Sequence, residues 1–257
     1  MSKLFQISVK ENRQAAKDHF LLTARPLDTI PAPNPGQFFM LSVDSRLDPL
    51  LKRPFSLHRF VSGDLQFLYK VVGKATSILK EKKTGDIMEL IGPLGNGFPL
   101  NQAGKVKPVL VAGGMGIAPL VALAEKVAKQ EPFFFYGARS ADELLCLDEL
   151  DSIGIAPVVS TDDGTAGRKG FVTELVDEFL TKRHSSDLYS IYACGPKPML
   201  AALSGVAKKH KVKAYMALEE SMACGVGACL GCVIKTVDGY KRVCKEGPVF
   251  SFDDIMW

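Results

Sequence analysis

Up to about residue 100, apolar residues come in short runs, HFLLTARP, QFFMLSV, PFSLHRF and LQFLYKVV, each bounded by Pro, Gly, Asn or Asp. Such runs between turn formers predict the strands of a small antiparallel barrel. A single helical patch over 75–82 interrupts them. From about Val106 the pattern changes. PVLVAGGMGIAPLVALAEKVAKQ is an apolar strand, a glycine turn and an amphipathic helix. PFFFYGARS, APVVSTDDG and LYSIYACGP repeat the buried-strand pattern, and helical ADELLCLDELDS, VTELVDEFLTKRH and KPMLAALSGVAKKH lie between them. That alternation predicts a doubly wound parallel sheet. After Tyr215 the sequence turns cysteine-rich and runs to EGPVFSFDDIMW. The predicted fold is multidomain α+β: an antiparallel β-barrel over 1–101, a doubly wound parallel α/β domain over 102–213, and a small module over 214–257.

Composition narrows the class. Over 257 residues, 47% hydrophobic and 23% charged content is that of a soluble globular protein. A net charge of +4 from scattered Lys and Arg gives no nucleic-acid footprint. No apolar stretch is long enough to span a membrane, and MSKLFQISVKENRQ lacks a signal-peptide core, so the expected location is the cytoplasm. Six cysteines there read as metal ligands or reactive groups before disulfides.

Four of the six, Cys224, Cys229, Cys232 and Cys244, are spaced C-x4-C-x2-C-x11-C. The first part matches the plant-type ferredoxin run that wraps a [2Fe–2S] cluster. Gly225, Gly227, Ala228 and Gly231 between them suit a loop whose amides must approach the sulfides. The rival occupant is a structural Zn²⁺, making the tail a docking module; zinc sites usually carry two paired knuckles, and only one C-x2-C is present.

Glycine motifs come next. GGMGIAP, with Gly113, Gly114 and Gly116, follows a strand and opens a helix, which suits a pyrophosphate met by free amides and the helix dipole. The same turn serves equally as a tight connection with no ligand. Cys194 and Gly195 of CGP end a later strand of the same sheet, where ligands of such sheets bind, although a buried Cys is also a small apolar residue. Arg53, Pro54, Phe55 and Ser56 in RPFSLHR could offer a cation, an aromatic face and a hydroxyl to a flavin, or form a basic edge strand. YKVVGKATSIL runs through Gly73-x-x-Thr76 into a helix, a second anion site, and GPLGNGF is a glycine-rich turn before the domain boundary.

Taken in order, Arg53-Pro54-Phe55-Ser56, Gly73-x-x-Thr76, GPLGNGF, GGMGIAP and CGP resemble the ferredoxin–NAD(P)H reductase superfamily. With the cysteine run behind them, the whole resembles the electron-transfer subunits of class 1B dihydroorotate dehydrogenase, in which a short C-terminal loop carries the cluster. The resemblance covers nearly the whole chain. Some hydrogenase-associated relatives replace one cluster cysteine by a carboxylate; all four are Cys here. The resemblance implies that Arg53, Pro54, Phe55 and Ser56 hold FAD, that Tyr69, Lys70, Val71 and Val72 run along it, and that Gly73, Thr76 and Ser77 bind its phosphates. It implies that Gly113, Gly114 and Gly116 admit the NAD pyrophosphate, that Cys194 and Gly195 flank the nicotinamide, and that the four clustered cysteines ligate iron. The implied partner is an FMN-containing catalytic subunit, two of each forming a heterotetramer. It oxidises dihydroorotate in pyrimidine biosynthesis, and its electrons reach NAD⁺ through the [2Fe–2S] centre and FAD of this chain. The alternative is an NAD(P)H reductase subunit serving ferredoxin or a hydrogenase.

Charge separates the two nicotinamide cofactors. Where NADP-binding relatives tend to carry Ser and Arg, this chain has Asp162 and Asp163, which would repel a 2′-phosphate and accept from a ribose hydroxyl, unless they only shape the turn. His19, His58, His184 and His210 occur in unlike contexts, so no histidine metal site is expected. Cys146 falls in a helical pattern and is expected in the core, Glu219 and Glu220 are cap or interface residues, and Trp257 is read as packing or interface. An exposed apolar surface is expected near Met222 and the tail.

Overall fold

The computed structural model describes residues 3–44, 48–100, 106–183 and 188–257. The boundary expected at 101/102 and His184 lie outside the described residues. The first domain holds β1 (Lys3–Ala16), β2 (His19–Pro26), β3 (Phe38–Ser42), β4 (Arg53–Ser56), β5 (Arg59–Val61), β6 (Asp64–Lys70), α1 (Lys74–Lys80) and β7 (Ile87–Leu94). They form an antiparallel half-barrel in the order β4-β3-β7-β1-β2-β6-β5. Alternation sets the inward face. In β7, Met88 and Leu90 are buried while Ile87 and Glu89 face out. Phe39, Phe67 and Leu65 fill the interior with no exposed surface. The sheet curls until Phe55 on β4 meets Phe67 and Tyr69 on β6, ring centroids 6.4 and 5.9 Å apart. The run PFSLHRF, expected as one strand, is two: Leu57 and His58 at the break bond back to Gln37 and Gln66 and are buried.

The second domain holds β8 (Lys107–Gly113), α2 (Ile117–Val127), β9 (Phe133–Ala138), α3 (Leu147–Ser152), β10 (Val158–Thr161), β11 (Arg168–Lys169), α4 (Val172–Lys182), β12 (Tyr189–Cys194), α5 (Lys197–His210) and β13 (Lys213–Ala217). These six strands run parallel in the order β11-β10-β9-β8-β12-β13. β8 is buried on both faces, as a doubly wound sheet requires. Val109 and Val111 pack with α4 and α5, whereas Leu110 and Ala112 pack with α2 and with Leu21 and Leu68 of the barrel. The expected continuous helix ADELLCLDELDS does not form. A 3₁₀ turn at Ala141–Glu143 leads into extended Leu144, and α3 starts only at Leu147. The Tyr136 hydroxyl accepts from the Leu145 amide at 3.1 Å, which takes that donor out of any helix and leaves Cys146 half-buried at the helix entry.

The remaining strands are β14 (Val233–Thr236), β15 (Gly239–Arg242) and β16 (Val249–Ser251). β14 and β15 form a hairpin, while β16 adds antiparallel to β13 as the seventh strand of the parallel sheet. The boundary expected at 213/214 thus falls at the head of β13. The cysteine module also locks onto the barrel. Asn96 of GPLGNGF donates its amide to Gly247 O at 2.7 Å and its side-chain NH₂ to Glu246 O at 2.9 Å. A Cβ on Gly95 would lie 2.4 Å from Pro248, so the close approach of these two turns admits only glycine.

Candidate functional site

The carboxyl ends of β8, β9, β10 and β12 open on a cavity of about 710 Å³ that faces the barrel residues His19 and Lys70. Gly113, Gly114, Gly116 and Gly195 all line it, in unequal roles. A Cβ on Gly116 would sit 2.0 Å from the Cys194 carbonyl oxygen, and one on Gly113 would sit 2.5 Å from Met199 Sδ. Those two glycines therefore let the GGMG turn and the CGP turn touch. Gly114 has φ +51 and open space where its Cβ would be, so it is the glycine that presents bare backbone to the cavity. Cys194 is buried, and burial first, then Glu219, pushes its thiol well above the ordinary range. It is a neutral, compact wall.

Several lining residues had no signal in the sequence: His19, Arg139, Glu143, Phe171 and Met199 are single positions at strand ends or helix starts. Glu143 stands 3.7 Å from Lys70 Nζ and 3.4 Å from Arg139 Nε, linking barrel and nucleotide domain across the cavity mouth. Glu219 borders the same cavity. Its side chain is open to the void, yet the protein packed around the void raises its carboxyl. Glu220 points elsewhere, to Lys197. Asp162 and Asp163 part company too. The Asp163 carboxylate accepts from the Thr165 hydroxyl at 2.6 Å and amide at 2.9 Å, closing its own turn, and those bonds lower its pKa. Asp162 lines the cavity.

On the barrel, Arg53, Pro54 and Ser56 are half-buried along edge strand β4, where a proline costs no ladder bond. Arg53 Nη1 donates to Leu51 O at 2.5 Å, and among the described residues it has no carboxylate partner. Phe55 and Tyr69 are core residues. Tyr69 is buried, stacks on Phe20 at 5.8 Å, and donates its hydroxyl to Asn12 Oδ1 at 3.1 Å; burial pushes its phenol up to about 12. The contact of Phe55 with Tyr69 brings the strand-end segment of Lys70, Val71, Val72 and Gly73 beside β4. Val72 is 79% exposed, and nothing lies where a Gly73 Cβ would be. Thr76 Oγ1 accepts from the Val72 and Gly73 amides at 2.9 and 3.1 Å, fixing that turn, with Ser77 one residue further into α1. A half-buried cationic edge beside an open apolar strip with spare backbone suits a flat, apolar ring system carrying phosphates.

The four cysteines of the module are free thiols in two pairs. Cys224 lies beside Cys229, and Cys232 beside Cys244, close enough for the thiols of each pair to shift one another. Among the described residues no three of these sulfurs lie within 4.8 Å of one another. A single tetrahedral Zn²⁺, with Zn–S bonds of about 2.3 Å, needs all four within roughly 3.8 Å. Two pairs, each for its own iron, suit [2Fe–2S]. Amides already point at sulfur: Ala228 and Cys229 N–H at 3.3 and 3.4 Å from Cys224, Gly231 at 3.4 Å from Cys229, and Cys244 at 3.4 Å from Cys232. Burial opposes ionisation of Cys224, but donors from Val226, Cys229 and Ala228 outweigh it and hold the thiol at about 6. Cys244 is pushed up to about 12 by burial and by Cys232. Gly225 and Gly227 have φ +68 and +82, and a Cβ on Gly225 would lie 2.4 Å from Met40 of β3. The loop is therefore pressed on the barrel. Arg242 holds it from behind, donating to Gly227 O at 2.8 Å while paired with Glu246. Cys232 and Cys244 are buried and Cys229 is exposed. Exposed apolar surface surrounds Cys229, from Val226, Leu230 and Val233; Met222, by contrast, packs half-buried on the core. Trp257 is about half exposed at 49%.

Comparison with known proteins agrees with this geometry. The family described as the iron–sulfur cluster binding domain of dihydroorotate dehydrogenase B matches residues 219–256. The oxidoreductase NAD-binding domain matches residues 110–205. A dihydroorotate dehydrogenase B (NAD(+)) electron transfer subunit from Caldanaerobacter subterraneus is 42% identical, covering 88% of each chain. One from Desulforamulus reducens is 37% identical over 100% of both. Among solved structures, an NADH-dependent reduced ferredoxin–NADP oxidoreductase studied for flavin-based electron bifurcation superposes with TM-score 0.84 at 28% identity, covering 98% of this chain and 90% of that one. Phthalate dioxygenase reductase shares the fold, with TM-score 0.64 at 20% identity over 80% of this chain and 64% of the other.

Proposed function

The chain belongs to the family of electron-transfer subunits of NAD⁺-dependent dihydroorotate dehydrogenase B, and from that membership we propose how its residues divide the work. Its carriers are a [2Fe–2S] cluster, FAD and NAD; the flavin supplies the exchange between single electrons and a hydride. Cys224, Cys229, Cys232 and Cys244 hold the cluster, and the amides on their sulfurs tune it. Arg53 meets the FAD pyrophosphate, Pro54 and Ser56 border the ring, and Phe55 and Tyr69 stiffen the wall from inside. Val71, Val72, Gly73, Thr76 and Ser77 give the cofactor a backbone track. Gly114 admits the NAD pyrophosphate, Gly113 and Gly116 hold its turn against CGP, and buried Cys194 with Gly195 bounds the nicotinamide.

A catalytic partner subunit follows from the family. We assign it FMN and a two-plus-two assembly, docking on Val226, Leu230 and Val233 around Cys229, with the complex in the cytoplasm. No helix among the described residues is long and apolar enough to cross a membrane. The carrying observation is the placement of the module. The inner cysteines share one core with Phe38 and Met40 of the barrel, while Cys229 faces outward, so the cluster stands between partner and flavin domain. Iron and acid-labile sulfide at about two each per chain are the expected contents; zinc without sulfide would overturn the assignment. A ferredoxin-linked reductase role is the second reading, favoured by the 28%-identical neighbour. The subunit that co-purifies with the tagged chain separates the two.

A further inference from the structure

A second constellation of metal-ligand type lies away from the cysteine module. His58, Cys146 and Glu149 each place a donor atom within 4.8 Å of the other two. His58 follows β4 on the barrel, whereas Cys146 and Glu149 stand at the start of α3 in the nucleotide domain, so the set straddles the domain interface. His58 is fully buried, and its Nδ1 lies 2.9 Å from the Ala118 carbonyl oxygen. A carbonyl only accepts, so Nδ1 carries the proton and Nε2 keeps a lone pair. That Nε2 is buried with no hydrogen-bond partner. Leaving such an atom unmet ordinarily costs about 1–3 kcal/mol. A ring N–H fixed on a backbone carbonyl with the opposite nitrogen bare is how proteins orient a metal-binding imidazole.

The other two groups come from one short stretch of the nucleotide domain. Cys146 takes the left-handed conformation, φ 60°, immediately before α3, a strained backbone for a residue with a Cβ. Glu149 follows three residues later, within the first turn of α3. Cys146 and Glu149 border a polar cavity of about 570 Å³, which can supply water as a fourth ligand. Arg13 and Arg59 line that cavity too, and Arg59 is neutralised by Glu125 at 2.5 Å.

We propose that His58 Nε2, Cys146 Sγ and Glu149 bind a divalent zinc-class ion that clasps the barrel to the nucleotide domain. Imidazole, thiolate and carboxylate with one water is a donor set that Zn²⁺ accepts, at bond lengths of about 2.0–2.3 Å. The three donors already lie within 4.8 Å of one another, against the roughly 3.5 Å that a tetrahedral shell with such bonds requires. Binding the thiolate releases its proton to solvent.

The test titrates Zn²⁺ into the holoprotein, with iron and sulfide assayed throughout so that the cluster cysteines are known to stay occupied. About one zinc per chain should survive dialysis, raise the thermal midpoint, and show one sulfur among nitrogen and oxygen neighbours at the zinc absorption edge. Cys146→Ser and Glu149→Gln, which leave the buried imidazole in place, should each weaken retention at least about tenfold and abolish the thermal shift. No retained zinc, zinc retained equally by both variants, or a shell of several sulfurs would overturn the site.

Discussion

Replacing Gly116 by alanine isolates one steric contact on which the dinucleotide cleft depends. The residue has φ −61 and ψ −11, which alanine adopts freely, so the backbone itself raises no objection. The new methyl would lie 2.0 Å from the Cys194 carbonyl oxygen, 2.3 Å from its carbon and 2.7 Å from Gly195 N, where ordinary contact begins at 3.4 Å. All three atoms are backbone at the end of β12, so no side chain can turn aside. The two turns must part by about 1.4 Å at the nearest contact. Overpacking of this kind costs about 1–3 kcal/mol, or roughly 2–12 °C of thermal midpoint in a chain of this size. A displacement of about 1 Å in a positioning loop can cost on the order of 100-fold in rate. The assay is NADH-dependent ferricyanide reduction by FAD-loaded protein, and kcat/KM should fall about 100-fold with FAD retained. Gly205→Ala is the control: mid-α5, with no atom within 4 Å of its Cβ, it should leave activity unchanged and stabilise by about 0.5–1 kcal/mol. Wild-type kcat/KM and midpoint in Gly116→Ala would refute the claim that these turns need contact.

The wild-type protein should show a higher kcat/KM with NADH than with NADPH, and Asp162→Ala should narrow the ratio about tenfold. Asp163→Ala should leave the ratio nearly unchanged, because that carboxylate is spent on Thr165. Loss of the Arg242–Glu246 clasp in Glu246→Gln should speed chelator-driven bleaching of the cluster a few-fold. Arg242 holds the Glu246 carboxyl at about 2, so its contribution is complete above the unfolded value of 4.5 and is lost progressively as pH falls from there through about 2. The Gln effect should therefore be equal at pH 6 and pH 8. Leu230→Glu, on the apolar surface beside Cys229, should weaken subunit association with cofactor content intact, read by co-purification at rising salt.

Local pattern carried much of the fold. β2 and α5 run over the residues expected, because HFLLTARP and KPMLAALSGVAKKH each hold a single period between clear stops. β1 went unread. Its buried Phe5, Ile7 and Val9 alternate as a strand should, but the exposed second half, which pairs with β2 alone beyond the end of β7, masks the signal. α3 is shorter than ADELLCLDELDS suggests, because nothing local reveals that the Tyr136 hydroxyl captures the Leu145 amide. The cysteine spacing named the cluster, whereas the division of the sulfurs into pairs is a property of the folded loop. Glycine runs marked the places of close approach without saying what approaches. In GPLGNGF it is the cysteine module, and at Gly116 it is the CGP turn. The convergence of His58 with Cys146 could not be read at all, since two domains must pack before it exists.

If electrons from the partner reach NAD⁺ through the cysteines of this chain, losing one cysteine must cut the path. The direct measurement is dihydroorotate-dependent NADH formation by the assembled complex, comparing wild type with Cys229→Ser. The variant should lose this activity while keeping FAD and NADH–ferricyanide turnover. Full dihydroorotate-to-NAD⁺ transfer in Cys229→Ser, or NADH-to-ferredoxin transfer by a complex inert to dihydroorotate, would contradict it.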